Sequence, residues 1–331
     1  MNFHEEQFEL DEELSRHILG TAQDNGLALI CSLPEVTARA RGNRLYVEGS
    51  EEKIELVKRF LQILQSKIAS REKLDPFELK RLFEQYTTPQ YADKILMGQN
   101  GRAKLFPEII QANSGRSIRP KTYMQQSYVE AMEKNIITIA RGPAGTGKTY
   151  LATAMAIRAL KEKKVSRVVL SRPVVEAGES LGYLPGDVKE KVDPHFKPLY
   201  DSIQEFIGTG KFEQFLRQGI IEITPLAYMR GRTFNEAFVV LDEAQNTTVA
   251  QMRMALTRLG YGSKMVITGD HTQIDLPEIK DSSMLYLNAI LGKVEFVSFI
   301  DLTDRDVIRH EIVSRIIRAF DTYLNRNKKK P

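Results

Sequence analysis

From about residue 122 onward, short apolar runs alternate with longer stretches of helical spacing. The run at residues 136–140 is followed by a glycine-rich loop and then by a helical pattern over residues 148–162. Further apolar runs lie at residues 165–171, 220–224, 238–241, 264–268 and 294–300. Continuous apolar runs are typical of parallel strands that helices cover on both faces. The pattern predicts an α/β fold with a mainly parallel sheet and flanking helices.

The first 70 residues carry the pattern of a small α+β unit. Residues 45–49 predict a strand that ends at a glycine turn, and Ser50 is suited to cap the helix that follows. Residues 27–30 and 36–40 are predicted to form further strands. The predicted helix has an apolar face made of Ile54, Leu56, Val57, Phe60, Leu61 and Leu64.

Residues 71–121 separate these two patterns and are rich in Lys, Arg, Gln and Gly. We interpret them as a helical connector followed by a basic linker, which either tethers the domains or lies along RNA. The larger domain is predicted to span residues 122–325. A basic tail, residues 326–331, is either a solvated terminus or a contact for a phosphate backbone.

Composition and charge indicate the cellular compartment and the classes of partner to expect. The net charge is +4, and Cys31 is the single cysteine, so no disulfide forms within the chain. No run approaches the roughly 18 to 20 apolar residues that a membrane helix needs. The acidic N-terminus lacks the layout of a signal peptide. We therefore expect a cytoplasmic protein without a membrane partner, whose mild basicity is compatible with nucleic acid.

The loop after the first predicted strand of the larger domain satisfies G-x-x-x-x-G-K-[ST] without deviation. Its glycines allow the backbone to wrap a phosphate, and the following helix presents its positive end to the same charge. Lys148 is expected to reach the β- and γ-phosphates of ATP, and Thr149 to place its hydroxyl on Mg²⁺. The predicted ATP-binding residues of this loop are Gly142, Pro143, Ala144, Gly145, Thr146, Gly147, Lys148 and Thr149.

Two later strands each end in polar residues that complete a nucleotide site. Asp242 and Glu243 follow the run at residues 238–241. We expect Asp242 to hold the Mg²⁺ shell, and Glu243 to orient and deprotonate the attacking water. Gln273, after the run at residues 264–268, is suited to sense the γ-phosphate because its amide both donates and accepts. His271 is interpreted as a loop residue rather than as a base.

Six motifs in order give the chain its resemblance to a known family, over roughly residues 118–325. They are Thr122-x-x-Gln125-x-x-Tyr128, the loop of residues 141–152, Arg172-Pro173 with residues 179–186, residues 229–234, residues 241–246, and Gly269-Asp270 with Gln273. Together they resemble the PhoH family, in the branch with an N-terminal extension. Residues 1–70 resemble the KH-like region of that branch, although no G-x-x-G clamp is visible there.

The resemblance implies a RecA-like ATPase core related to the first motor domain of superfamily 1 helicases. By that comparison Gln125 would read the adenine edge, and Gln273 would be the γ-phosphate sensor. The resemblance also implies ATP and Mg²⁺ as cofactors, a link to phosphate starvation, and a role in RNA metabolism. Relatives are associated with a YbeY-type endoribonuclease that acts in ribosomal RNA processing.

We expect no second motor domain, because only about thirty residues of this sequence follow the last predicted strand. Phosphoryl transfer gains from a cation on the developing charge, so we expect an arginine from a neighbouring subunit in a head-to-tail ring, with a hexamer the usual number. Arg305 and Arg309 would alternatively form surface ion pairs on a predicted helix. Arg230 and Arg232 would alternatively contact RNA. The candidate arginines are Arg172, Arg230, Arg232, Arg305 and Arg309.

Three functional hypotheses follow. The leading one is an RNA-associated ATPase that unwinds or remodels RNA. The alternative is a nucleotide-dependent adaptor that recruits an endoribonuclease without unwinding RNA. A small-molecule kinase is a third reading, which the water-activating position of Glu243 disfavours. The long segment at residues 176–194 is expected to be a loop that either contacts nucleic acid or packs between subunits.

Overall fold

The computed structural model describes residues 3–20, 25–69, 74–87, 106–173 and 188–308, together with residues 312, 313, 316 and 320. The chain divides into two units, one made of Met1–Phe106 with Arg309–Pro331 and the other of Pro107–Ile308. Each unit is described by itself below. In the described part of the chain, no helix has both the length and the apolar character that crossing a membrane requires.

The N-terminal unit contains a three-stranded antiparallel sheet in the order β1-β3-β2. Leu45 and Val47 alternate with exposed or half-buried residues along β3, and both are fully buried in a core shared with the helix α3. This is the α+β unit that the apolar pattern predicts. Its elements are β1 His4–Glu9, α1 Glu12–Leu19, α2 Gly26–Cys31, β2 Thr37–Arg41, β3 Arg44–Gly49, α3 Glu51–Ala69 and α4 Pro76–Thr87.

One predicted strand of this unit is wrong. Gly26–Cys31 is a helix, and the side chain of Asn25 caps it by accepting a hydrogen bond from the backbone N–H of Ala28 at 2.9 Å. The apolar run at residues 27–30 is too short to distinguish a strand from a buried helical turn by its pattern alone. The N-cap asparagine, Asn25, two residues before this run is the local signal that favours the helix.

The second unit begins with residues that were predicted to lie in a basic linker. Ile110–Gln111 (β4) and Ser117–Ile118 (β5) form a short antiparallel hairpin. Ile109, Ile110 and Ile118 are buried in the hydrophobic core of this unit, so the hairpin is part of the domain rather than a tether. Charged residues surround these isoleucines in the sequence, so the composition of the segment does not reveal that they are buried.

The core of this unit is a six-stranded sheet in the order β11-β6-β10-β9-β7-β8, and every neighbouring pair of strands is parallel. The strands coincide with the apolar runs of the sequence. One strand, β10, separates the strand before the glycine-rich loop, β6, from the strand before Asp242, β9. The strands are β6 Ile137–Arg141, β7 Arg167–Arg172, β8 Ile221–Pro225, β9 Ala237–Leu241, β10 Lys264–Gly269 and β11 Val297–Asp301.

Alternate residues of these strands enter two different cores. Val240 and Val266 belong to the core on one face of the sheet, whereas Val239 and Ile267 belong to the core on the other. Each such fully buried side chain contributes about 1.5–3 kcal/mol. Burial of both faces confirms the RecA-like α/β fold. The helices of this unit are α5 Tyr123–Lys134, α6 Lys148–Lys161, α7 Val188–Ile207, α8 Thr209–Arg217, α9 Val249–Leu256 and α10 Leu287–Leu291.

Candidate functional site

The glycine-rich loop joins β6 to α6 in a conformation that only glycine adopts readily at three positions, Gly142, Gly145 and Gly147. Gly147, the N-cap of α6, has φ of 79°. Gly142 has φ of 149°, and a Cβ there would lie 2.4 Å from the carbonyl oxygen of Leu302. Pro143, Ala144, Gly145 and Thr146 form the turn between them, and the Thr146 hydroxyl donates to the Pro143 carbonyl at 2.9 Å. The loop therefore has the shape and glycine positions of a phosphate-binding P-loop.

The side chain of Lys148 lies over this loop. Its Nζ donates to the carbonyl oxygens of Gly142 at 2.6 Å and Pro143 at 2.8 Å, and only 8% of the residue is exposed. Tyr128 supports the same turn from α5, since its hydroxyl donates to the Lys148 carbonyl at 3.3 Å. Burial, with a smaller effect of the Asp242 charge, raises the pKa of Tyr128 well above its ordinary value, so the phenol stays a neutral donor.

Gln125 is placed behind the P-loop. Its Nε2 donates to the Thr146 carbonyl at 2.9 Å, and its Oε1 accepts from the Lys121 N–H at 2.7 Å. Only 2% of the residue is exposed. In this arrangement Gln125 ties α5 to the loop, and the reading of adenine stays a prediction.

A segment after β11 holds the P-loop from another side. The N–H of Ile308 donates to the Gly145 carbonyl at 2.9 Å, and the Thr122 hydroxyl donates to the buried carboxylate of Asp306 at 2.5 Å. Asp304–Asp306 is a single 3₁₀ turn, so the helix predicted to carry Arg305 and Arg309 is not observed at Arg305. Arg305 is exposed on this turn, and Arg309 lies outside the described residues.

Asp242 lies at the carboxyl end of β9 beside the P-loop. Its Oδ1 accepts from the Thr149 hydroxyl at 2.6 Å and also from the Thr268 hydroxyl of β10. Its Oδ2 accepts from Nε of Arg172 at 2.8 Å and from Nη2 at 2.5 Å. The structure thus joins Thr149 and Asp242, the two predicted magnesium residues. Hydroxyl and carboxylate oxygens are donors that suit Mg²⁺, so these two residues fit the ion.

Glu243 follows Asp242 directly but has a different environment. Its φ of 54° turns the chain sharply after β9, and 44% of its side chain is exposed. Its Oε2 accepts from Nε2 of Gln245 at 2.6 Å, while its Oε1 lies 4.0 Å from Nη2 of Arg172. The turn presents this carboxylate to solvent beside the buried Asp242, which suits a residue that acts on water.

Gln245 and Asn246 connect this turn to the loop after β10, and sequence reasoning assigned neither a role. Gln245 accepts from the Asp270 N–H through Oε1 at 3.0 Å. Asn246 exchanges two hydrogen bonds with Asp275, at 3.1 and 2.8 Å. Gln273 lies on the loop so held, with its side chain exposed, and His271 is an exposed residue of the same loop. An amide after an Asp-Glu pair is the only local signal that would have pointed to Gln245.

The remaining predicted arginines lie elsewhere. Arg230 is exposed after β8. Arg232 forms an ion pair with Glu222 of β8, with Nη2 at 2.6 Å from Oε2, and its guanidinium lies 4.8 Å from the Phe234 ring centroid. The residues next to Arg232 in the sequence give no sign of this acidic partner, because Glu222 comes from the strand β8. Of the loop predicted at 176–194, residues 176–187 lie outside the described residues, and the remainder begins the helix α7.

Residues 117–321 match the family model described as PhoH-like protein. The chain is 44% identical to the PhoH-like protein of Bacillus subtilis, over 94% of each chain, and 41% identical to that of Synechocystis, over 95% of this chain and 93% of the relative. A solved Sulfolobus solfataricus SWI2/SNF2 ATPase core in complex with dsDNA matches at 18% identity with a TM-score of 0.35, over 60% of this chain and 46% of that one. The chain belongs to the PhoH family and carries the nucleotide-binding site of a P-loop ATPase.

Proposed function

We propose that this chain is a Mg²⁺-dependent ATPase that acts in RNA metabolism, unwinding or remodelling RNA in a step linked to ribosomal RNA processing. The hydrolytic part rests on one observation, the contrast between two adjacent carboxylates. Asp242 is 2% exposed and bonded to the P-loop, whereas Glu243 is half exposed and held by Gln245. Neighbouring acids in unlike environments are suited to different roles.

Each residue of the site then has a task. Lys148 and the P-loop bind the phosphates of ATP, and Thr149 with Asp242 would hold Mg²⁺, which neutralises phosphate charge when bound. Glu243 orients a water and accepts its proton. Gln273, which lies on the loop after β10, senses the terminal phosphate.

The RNA part is supported by the family resemblance, by the net charge of +4 and by the exposed Arg230. We extend the proposal to a head-to-tail ring of copies, with six as the expected number. Arg230 would contact RNA or a neighbouring subunit in that ring. A YbeY-type endoribonuclease is the expected protein partner. The alternative function is an adaptor that recruits this nuclease in a nucleotide-dependent way without unwinding RNA.

The test of hydrolysis is Glu243→Gln. We expect turnover to fall on the order of 10³-fold, because the amide cannot take the proton of the attacking water. Binding of a fluorescent ATP analogue is expected to be unchanged. Lys148→Ala is the matched control, since it should weaken that binding directly. A Glu243→Gln protein that hydrolyses ATP at the wild-type rate would show that Glu243 is not the base.

The test of the RNA role is ATP turnover with and without single-stranded and duplex RNA. Stimulation by RNA, together with strand separation in a labelled duplex, is expected from the proposed function. Turnover that ignores RNA, combined with ATP-dependent binding of the endoribonuclease, would instead favour the adaptor.

A further inference from the structure

Arg172 places a cation between the two carboxylates of the site in its own chain. It is the last residue of β7, which pairs with β9 so that Ser171 lies opposite Leu241 and Arg172 comes level with Asp242. Its side chain is 13% exposed, and its Nη2 lies 2.5 Å from Oδ2 of Asp242 and 4.0 Å from Oε1 of Glu243. A guanidinium at this point lies within reach of the residues expected to hold Mg²⁺ and to activate water.

The hydrogen bonds of Asp242 make Arg172 a competitor for the magnesium shell. Two hydroxyl donors, from Thr149 and Thr268, already occupy Oδ1. Arg172 occupies Oδ2 with both Nε and Nη2. Mg²⁺ held by Thr149 and Asp242 would add a double positive charge beside the guanidinium on Oδ2 and would repel it.

The fork of an arginine suits a phosphate as well as it suits a carboxylate. A terminal phosphate brought by Lys148 and Thr149 would offer such oxygens close to the present position of Arg172. We infer that Arg172 exchanges Asp242 for the γ-phosphate of Mg-ATP and acts as the catalytic arginine in cis. This inference rests on the proposed ATPase function, and it changes the expectation that the charge must come from a neighbouring subunit.

The reaction balances with the groups named. The water oxygen forms a bond to the γ-phosphorus while the bond from that phosphorus to the β–γ bridging oxygen breaks, and Glu243 accepts the proton of the water. The products are ADP and inorganic phosphate. Arg172 stabilises the negative charge on the transferring phosphoryl group, an effect on the order of 10³-fold in rate for an arginine that acts from its own chain.

The experiment compares full-length wild-type protein with Arg172→Gln, which keeps hydrogen-bonding capacity but removes the charge. In Mg²⁺, the wild type is expected to bind a fluorescent ATP analogue more tightly than the ADP analogue. In the variant, the ratio of the ADP to the ATP dissociation constant should fall about 10-fold, because one charge-assisted hydrogen bond to phosphate is lost. The affinity for ADP should be unchanged. Arg172→Lys, which keeps the charge and its pairing with Asp242, should retain part of the preference and covers the case in which the glutamine variant folds poorly.

Cis action is tested by mixing Arg172→Gln with Lys148→Ala protein. Neither variant alone is expected to hydrolyse ATP at an appreciable rate, so recovery of hydrolysis in the mixture would mean that Arg172 reaches a neighbour's ATP, and the inference would fail. We expect no recovery. An Arg172→Gln protein with the wild-type preference for ATP would also overturn the inference. If the wild type itself binds ATP without hydrolysing it, the proposed function fails, yet the binding preference still tests Arg172.

Discussion

The six-stranded parallel sheet and the three-stranded antiparallel sheet differ in how far their charged and polar side chains are buried. At the carboxyl edge of the parallel sheet, Lys148, Asp242 and Gln245 are each at most 8% exposed, and each is hydrogen-bonded. On the antiparallel sheet of the N-terminal unit, the ion pair of Arg39 with Glu5 has side chains that are 75% and 44% exposed. Burying polar groups is costly unless their partners are in place, whereas exposed pairs contribute little. The difference indicates that the parallel sheet's edge is built for ligand chemistry and the other surface for solvation.

The glycines of the two regions give the sharpest form of this comparison. Gly142 in the P-loop and Gly42 in the turn between β2 and β3 both have positive φ, of 149° and 63°. A Cβ on Gly142 would lie 2.4 Å from a carbonyl oxygen of Leu302, whereas a Cβ on Gly42 meets nothing within 4 Å. Gly142 is required both because a Cβ would collide with Leu302 and because its φ is positive. Gly42 is required only because its φ is positive.

The largest effect is therefore expected from Gly142→Ala. The new methyl must displace the strand β11 end or the loop itself, so nucleotide binding should fall below detection in a titration with fluorescent ATP. Gly42→Ala, the matched control, should cost only about 1–2 kcal/mol of unfolding free energy for a left-handed alanine and leave nucleotide affinity unchanged. Equal affinities for ATP in the two variants would contradict the contrast between the regions.

A smaller effect is expected when one member of each ion pair is neutralised. Asp242→Asn removes the nearer and more buried of the two carboxylate charges beside the Arg172 guanidinium, which should lower the free energy of unfolding by about 3 kcal/mol. Glu5→Gln removes the partner of Arg39 at the surface and should cost less than about 1 kcal/mol. Urea denaturation followed by circular dichroism measures both. A cost for Glu5→Gln as large as that for Asp242→Asn would show that burial is not what separates the two pairs.

Much of this architecture is predictable because its strands and the P-loop each depend on a short, contiguous stretch of sequence. The strands of the parallel sheet are continuous apolar runs, and the P-loop is a contiguous pattern whose glycines have a direct physical purpose. Asp242 and Glu243 are identified by their position after a buried strand. The helix Gly26–Cys31 shows the limit, because four apolar residues fit either kind of element.

Local sequence patterns do not show which distant residue each side chain contacts in the folded chain. Arg172 meets Asp242 across 70 positions, and Thr122 meets Asp306 across 184. Both contacts depend on the strand order, which places β7 beside β9 and β11 beside β6. For this reason Arg172 is predictable as a candidate arginine but not as a residue of its own chain's site, and Gln245 is not predicted at all.

Gln245 gives the smallest and most specific expected effect. It donates to Glu243 and accepts from the Asp270 N–H, so it holds the base in register with the loop that carries Gln273. Gln245→Ala removes one hydrogen bond to a charged group, worth about 1.5–3 kcal/mol, so single-turnover hydrolysis should slow about 10- to 100-fold. Affinity for ATP should not change, because Gln245 contacts neither the P-loop nor the magnesium residues in the described structure. Gln245→Glu is the informative companion, because its carboxylate cannot donate to Glu243 and adds a like charge beside it, so hydrolysis should slow at least as much while ATP affinity is kept. A Gln245→Ala variant that lost ATP binding along with turnover would instead mean that the residue supports the fold of the whole edge, and the distinction between binding and positioning residues there would fail.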